Sequence, residues 1–131
     1  MAPGQIQLPT RDGRPFLADG GLETALVFHE GMDLPTFAAF PLLRDGEGRQ
    51  TLRRCSEPYL RLAAERGAGF VLETVTWRAN VERGAKIGDD AAAAAVRFAS
   101  GLRDDVAEAR IPILINGVIG PRYSAVRHAS G

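Results

Sequence analysis

The chain has 131 residues, enough for one domain, and its hydrophobic content of 45% and charged content of 24% are ordinary for a globular protein. Sixteen basic residues balance sixteen acidic residues, so no overall field is expected to attract nucleic acid or an anionic membrane. No apolar run approaches the roughly 20 residues that a membrane-spanning helix needs, and the N-terminus lacks the pattern of a secretory signal. We therefore expect neither nucleic acid nor a membrane as a partner.

The chain contains one cysteine, Cys55, which cannot form an internal disulfide and fits a reducing compartment. One cysteine also cannot build a cysteine-rich zinc site within a single chain. The two histidines, His29 and His128, are far apart in the sequence and have no companion ligand. We therefore expect a cytoplasmic protein with surface histidines and no metal site of its own.

The domain is predicted to begin with a short strand over the apolar run Phe16–Ala18. Two glycines follow and permit a tight turn, and a short helix is predicted over residues 23–29. Residues 31–50 contain two prolines and several glycines and are the least regular part of the chain. Within them, segment 44–49 is expected to be a solvent-exposed turn.

Two longer helices are predicted next. Ser56 is expected to cap the first of them, with Pro58 in its first turn and Gly67 in a left-handed conformation after its end. The other helix is expected to begin at Asp89 or Asp90 and to bury one apolar face. That face would consist of Val96, Ala99, Leu102 and Val106.

Three apolar runs, at residues 16–18, 70–72 and 113–115, each end in polar side chains. Those side chains belong to Asp19, Glu73, Thr74 and Asn116. A short continuous apolar run is typical of a buried parallel strand, and ligands bind at the carboxyl edge of such sheets. If the three strands lie parallel and side by side, the four polar residues converge on one edge and form a binding site.

The predicted order of alternating strands and helices indicates an α/β fold with two consecutive right-handed crossover units. A (β/α)₈ barrel of the TIM type needs about 250 residues, so the visible strands would be the first three or so strands of such a barrel, incomplete in this chain. Residues 1–14 are expected to be an extended lead-in, and residues 15–131 the N-terminal part of the barrel.

Three segments follow one another in a recognisable order and spacing. They are Asp19-Gly20-Gly21 with Glu23-Thr24, the stretch from Glu73 to Asn80, and the stretch from Asn116 to Pro121. Together they resemble the N-terminal part of the homocysteine S-methyltransferases, over about residues 16–121. The resemblance implies a (β/α)₈ barrel that transfers a methyl group from a donor to the thiol of homocysteine, with zinc holding the thiol as a thiolate.

The resemblance also implies roles for the four polar residues. Asp19 and Thr74 fall where the family contacts the amino acid portion of homocysteine, and Glu73 and Asn116 line the same mouth. A carboxylate suits the ammonium group of the substrate, and a hydroxyl or amide suits its carboxylate. The implied partner is thus a small molecule, homocysteine or a related thiol, and no catalytic residue is assigned in this chain.

The chain departs from the family pattern in its metal ligands. The family's zinc ligands are one cysteine late in the barrel and an adjacent pair near the last strand, and Cys55 matches none of them. Without the metal nothing lowers the pKa of the substrate thiol. We therefore expect a truncated methyltransferase that carries no zinc and is inactive alone.

Two other interpretations are open. A non-catalytic α/β fragment with uncovered sheet edges could self-associate or pair with a complementary chain, whereas a compact monomer would indicate a self-sufficient small domain. The polar residues also have structural explanations. Asp19 before two glycines and Asn116-Gly117 are common turn sequences, and Glu73 and Thr74 could be a polar strand end.

Overall fold

The computed structural model describes residues 12–34, 37–77, 79, 91–106 and 110–118. Strands and helices alternate along the chain, as the sequence predicts. The elements are β1 (Phe16–Leu17), α1 (Leu22–Phe28), a 3₁₀ helix (Phe40–Arg44), α2 (Gly46–Glu65), β2 (Gly69–Glu73), α3 (Ala91–Asp105) and β3 (Ile113–Asn116). The predicted lead-in lies outside the described residues as far as position 11, as do the predicted caps Asp89 and Asp90.

The three strands form one parallel sheet in the order β1-β2-β3, which confirms the predicted parallel arrangement. Leu17 pairs with Phe70, and the register of the second pair aligns Glu73 with Asn116. The ladder continues past the last pair, because the Thr74 N–H donates to the carbonyl of Asn116 at 2.9 Å. The carboxyl ends of β2 and β3 are therefore level with each other.

Both long helices pack on the same face of the sheet. Leu60 from α2 and Leu102 from α3 join Phe70 of the central strand in one buried cluster, each with no more than 2% of its surface exposed. Alternation along a strand places successive side chains on opposite faces, so Val71 and its register partner Leu114 lie on the other face. Right-handed crossovers between strands in sequential order produce this one-sided arrangement.

A second core cluster lies beside the first. It joins α1, the 3₁₀ helix, the first half of α2, the start of α3 and the segment after β2. Its members include Leu26, Phe40, Leu43, Leu52, Val75 and Ala95. The segment predicted to be irregular is therefore packed, and it supports the residues that follow the central strand.

The N-cap of helix α2 lies eleven residues before the cap predicted at Ser56. Asp45 is the N-cap, and its Oδ1 accepts a hydrogen bond of 2.7 Å from the N–H of Gly48. Ser56 lies inside the helix, where its hydroxyl donates to the carbonyl of Leu52 at 3.0 Å. Pro58 is also internal. Segment 44–49 is mostly exposed, as predicted, but residues 46–49 start a helix instead of forming a turn. A carboxylate cap offsets the weak helix propensity of the two glycines.

The buried face of α3 agrees with the prediction at Ala99 and Leu102 and differs from it at Val96. Val96 is 47% exposed, whereas Ala91, Ala95, Ala99 and Leu102 are buried. Alanines let the helix lie close to its neighbours, but they carry little hydrophobic signal. At the end of α2 the prediction is confirmed, since Gly67 has a φ of 62°.

Candidate functional site

The four residues predicted to form a site all follow the carboxyl ends of the strands. Asp19 comes two residues after β1 ends, Glu73 and Asn116 are the last residues of β2 and β3, and Thr74 comes directly after β2. Because the strands are parallel and adjacent, the structure brings these residues to one edge of the sheet. Glu73 and Asn116 are exposed, and Asp19 is half-buried.

A pocket of about 170 Å³ opens at this edge. Three of the four residues line it, namely Asp19, Glu73 and Thr74, whereas Asn116 does not. The remaining lining residues are Gly21, Leu22, Glu23, Val75, Trp77 and Val118. The pocket therefore lies between the turn after β1, the segment after β2 and the residue that follows Gly117.

Asp19 stabilises the turn at the pocket in addition to lining it. Its Oδ1 accepts a hydrogen bond of 3.1 Å from the N–H of Gly21. Gly21 has a φ of 107°, a left-handed conformation that favours glycine, and it is the residue from which α1 starts. Asp19 therefore has the turn role that its sequence context suggests, and it also lines the pocket.

Glu23 is a third carboxylate at the pocket, and it is not among the four site residues predicted from the sequence. Burial is the main cause that raises its pKa above the ordinary value of 4.5, and the carboxylates of Asp19 and Glu73 raise it further. A hydrogen bond from its own backbone opposes these effects. Its position in the first turn of a helix, two residues after Gly21, was the available signal.

Thr74 is 5% exposed, and its hydroxyl is already hydrogen-bonded within the protein. Its Oγ1 lies 2.9 Å from the Oγ1 of Thr76 and accepts a bond of 3.2 Å from the N–H of Val118. The hydroxyl of Thr76 donates to the carbonyl of Val118 at 2.8 Å. These bonds join the segment after β2 to the segment after β3, so Thr74 shapes the wall of the pocket as well as lining it.

A parallel sheet with carboxylates at its carboxyl edge is common to many α/β proteins, so the comparison with known families decides the identity. Residues 16–130 match the model of the homocysteine S-methyltransferase family. The chain belongs to this family. Comparisons with curated proteins and with solved structures give no match.

The zinc of the homocysteine S-methyltransferases does not fit the part of the chain that the structure describes. Within those residues, no group of three or more histidine, cysteine or carboxylate side chains could hold a metal ion. Cys55 is half-buried in the middle of α2, where burial, followed by the carboxylate of Glu30, raises the pKa of its thiol. A raised pKa favours the thiol over the thiolate that a metal requires.

The described part of this methyltransferase-family chain also contains no helix that is long and apolar enough to cross a membrane. Segments 80–90 and 119–131, which include the ends of two segments that carry the family resemblance, lie outside the described residues. His29 is exposed, as the sequence predicts.

Proposed function

We propose that the pocket binds the amino acid portion of homocysteine or a related thiol amino acid, for methyl transfer to that thiol. The observation that carries the proposal is the grouping of Asp19, Glu23, Glu73 and Thr74 around one pocket in a chain of this family. Three carboxylates favour a ligand with a positive charge, and hydrogen bonds between ionised partners are the strong ones. The ammonium group of an amino acid fits that requirement.

We further propose that the sheet is the beginning of a (β/α)₈ barrel. Strands that follow one another across the sheet, with α2 and α3 on one face, support this interpretation. A doubly wound sheet would have helices on both faces. In a barrel the face that carries Val71 and Leu114 would point inward, and the pocket would lie at the carboxyl-terminal mouth where barrel enzymes bind their substrates.

This chain does not fit zinc in its described residues. Its share of the reaction would be to bind and orient the substrate: Asp19 and Glu73 would hold the ammonium group, and the turn at Gly21 would fix the position of Asp19. We expect the purified chain to bind homocysteine without methylating it.

A second candidate is a fragment that self-associates. Within the described residues, β1 and β3 are edge strands with one neighbour each, and such edges can pair with another chain. Size-exclusion chromatography with light scattering separates a monomer from such an assembly.

The binding proposal is tested by removing the charge of Asp19 and keeping its turn. Asp19→Asn retains an oxygen that can accept from the N–H of Gly21, while the negative charge is lost. The matched control is Asp104→Asn, which makes the same change at an exposed residue near the end of α3. Calorimetric titration under reducing conditions measures the Kd of two probes, L-homocysteine and 4-mercaptobutanoate, which lacks the amino group.

We expect Asp19→Asn to weaken homocysteine binding by roughly tenfold or more, because a charged hydrogen bond is worth about 1.5–3 kcal/mol. Binding of 4-mercaptobutanoate should change little, and Asp104→Asn should change neither. Equal affinities of Asp19→Asn and Asp104→Asn for homocysteine would contradict the proposal. So would a wild-type chain that binds the deaminated probe as tightly as the amino acid.

A further inference from the structure

Thr74, Thr76 and Val118 form a closed ring of hydrogen bonds beside the pocket. The N–H of Val118 donates to the Oγ1 of Thr74 at 3.2 Å. The carbonyl of Val118 accepts from the Oγ1 of Thr76 at 2.8 Å. The two hydroxyl oxygens are 2.9 Å apart. A tight turn brings them together, because the N–H of Thr76 donates to the carbonyl of Thr74 at 2.8 Å.

The direction of each bond in the ring follows from counting protons. A hydroxyl has one proton and two lone pairs, and a carbonyl oxygen only accepts. The proton of Thr76 is therefore on the bond to the carbonyl of Val118. Between the two hydroxyls, Thr74 must then donate and Thr76 must accept. The Thr74 hydroxyl thus donates its proton to the hydrogen bond with Thr76 and accepts from the N–H of Val118 with one lone pair, so one lone pair is left.

We propose that Thr76 is a positioning residue of the substrate site, which fixes the Thr74 hydroxyl as a hydrogen-bond acceptor towards the pocket. This proposal rests on the proposed function, because it concerns the ligand that the pocket selects. With Thr76 in place, Thr74 joins Asp19, Glu23 and Glu73 as a fourth acceptor side chain lining the pocket. The pocket then favours a ligand group that donates hydrogen bonds, such as an ammonium group, and disfavours an anionic one.

Thr76 itself is not among the residues that line the pocket, so it acts through its neighbours. Removing its hydroxyl frees the proton of Thr74 and leaves the carbonyl of Val118 without that donor. Thr74 could then turn its proton towards the ligand, and the wall formed by Val118 would be held less firmly. A purely structural role would weaken every ligand alike, whereas the positioning role changes the preference between ligands.

The experiment compares Thr76→Val, which has nearly the same shape but no hydroxyl, with Thr76→Ser, which keeps the hydroxyl. Thr51→Val is the matched control, because Thr51 is 6% exposed and its hydroxyl donates within α2 to the carbonyl of Glu47 at 3.1 Å. Calorimetry with L-homocysteine and 4-mercaptobutanoate measures ligand preference. Amide hydrogen exchange followed by NMR measures the protection of the Val118 N–H without any ligand.

We expect Thr76→Val to weaken homocysteine binding by about tenfold and 4-mercaptobutanoate binding by less than about twofold. The Val118 N–H should exchange at least about tenfold faster. Thr76→Ser and Thr51→Val should resemble the wild type in both measurements. If Thr76→Val does not fold, Thr76→Ala should give the same changes.

The proposal is overturned if Thr76→Val raises the Kd of both ligands by the same factor, or if the exchange rate of the Val118 N–H is unchanged. The two proposals fail in different ways. A wild-type chain that binds no homocysteine overturns the proposed function and the ligand preference with it, whereas the exchange measurement alone still decides whether the ring exists.

Discussion

Replacing Gly48 by alanine tests the unexpected start of α2 most directly. Gly48 is buried in the first turn of that helix, and a Cβ atom there would lie 2.1 Å from the carbonyl oxygen of Leu42. It would also lie 2.8 Å from the carbonyl carbon and 2.9 Å from the Cα of the same residue. All three atoms belong to the backbone of the 3₁₀ helix, so no side-chain rotation can relieve the contact.

The expected loss follows from two opposing effects. In an open helical position, glycine to alanine gains about 0.5–1 kcal/mol. Overpacking of a buried site typically costs about 1–3 kcal/mol and occasionally more, and a contact with rigid backbone belongs at the upper end. We expect Gly48→Ala to lower the free energy of unfolding by about 2 kcal/mol, which corresponds to roughly 8 °C in Tm for a domain of this size.

Gly46→Ala is the matched control in the same turn. The nearest atom to a Cβ at Gly46 is the Nη2 of Arg49 at 3.9 Å, the end of a flexible side chain. This variant should leave stability unchanged or raise it by up to about 0.5 kcal/mol. Urea unfolding followed by circular dichroism measures both. Equal unfolding midpoints for the two variants would mean that Gly48 is not packed against the backbone of Leu42 and that segment 44–49 forms the turn predicted from the sequence.

Two further predictions concern the cap and the pocket. Asp45→Ala removes the acceptor of the Gly48 N–H and should cost about 1 kcal/mol in urea unfolding, whereas Asp45→Asn should cost little; equal losses would refute the cap. The folded-state pKa of Glu23 is raised, so folding favours the protonated form of this carboxyl group. The stability gained in this way is fully present below pH 4.5 and is lost as the pH rises through the folded-state pKa. Glu23→Gln should therefore raise Tm at pH 7 and flatten the dependence of Tm on pH above pH 4.5, whereas Glu65→Gln, at an exposed position, should do neither. Parallel curves of Tm against pH for the two variants would contradict the pocket electrostatics.

The convergence of polar residues on one sheet edge could be predicted because it depends on few assumptions. Apolar runs of strand length, separated by helical segments, imply parallel strands, and parallel strands share their carboxyl edge. That reasoning predicts the edge of the sheet at which the residues lie, but not which of them line the pocket. Asn116 is in register with Glu73 but does not line the pocket, because the distance from a strand end to a cavity depends on the loops that surround it.

The start of α2 could not be predicted because glycines beside an aspartate are typical of a turn but also occur where a helix packs closely against backbone. Gly46 and Gly48 lower helix propensity, and beside Asp45 they are typical of a turn. In the folded chain, Gly48 is glycine because the carbonyl of Leu42 occupies the space of a side chain. That contact involves residues of a second element, so local sequence preference carries no sign of it.

The chemistry of the Thr74 hydroxyl is the step that only the three-dimensional structure supplies. From the sequence, a hydroxyl at a strand end suits a substrate carboxylate, because it can donate. The ring with Thr76 and Val118 consumes that proton, so Thr74 can only accept. The pocket's acceptor side chains then suit the ammonium end of an amino acid, and under the proposed function the substrate carboxylate would bind to other donors. The proposed role of Thr74 therefore changes from binding the substrate carboxylate to binding its ammonium group.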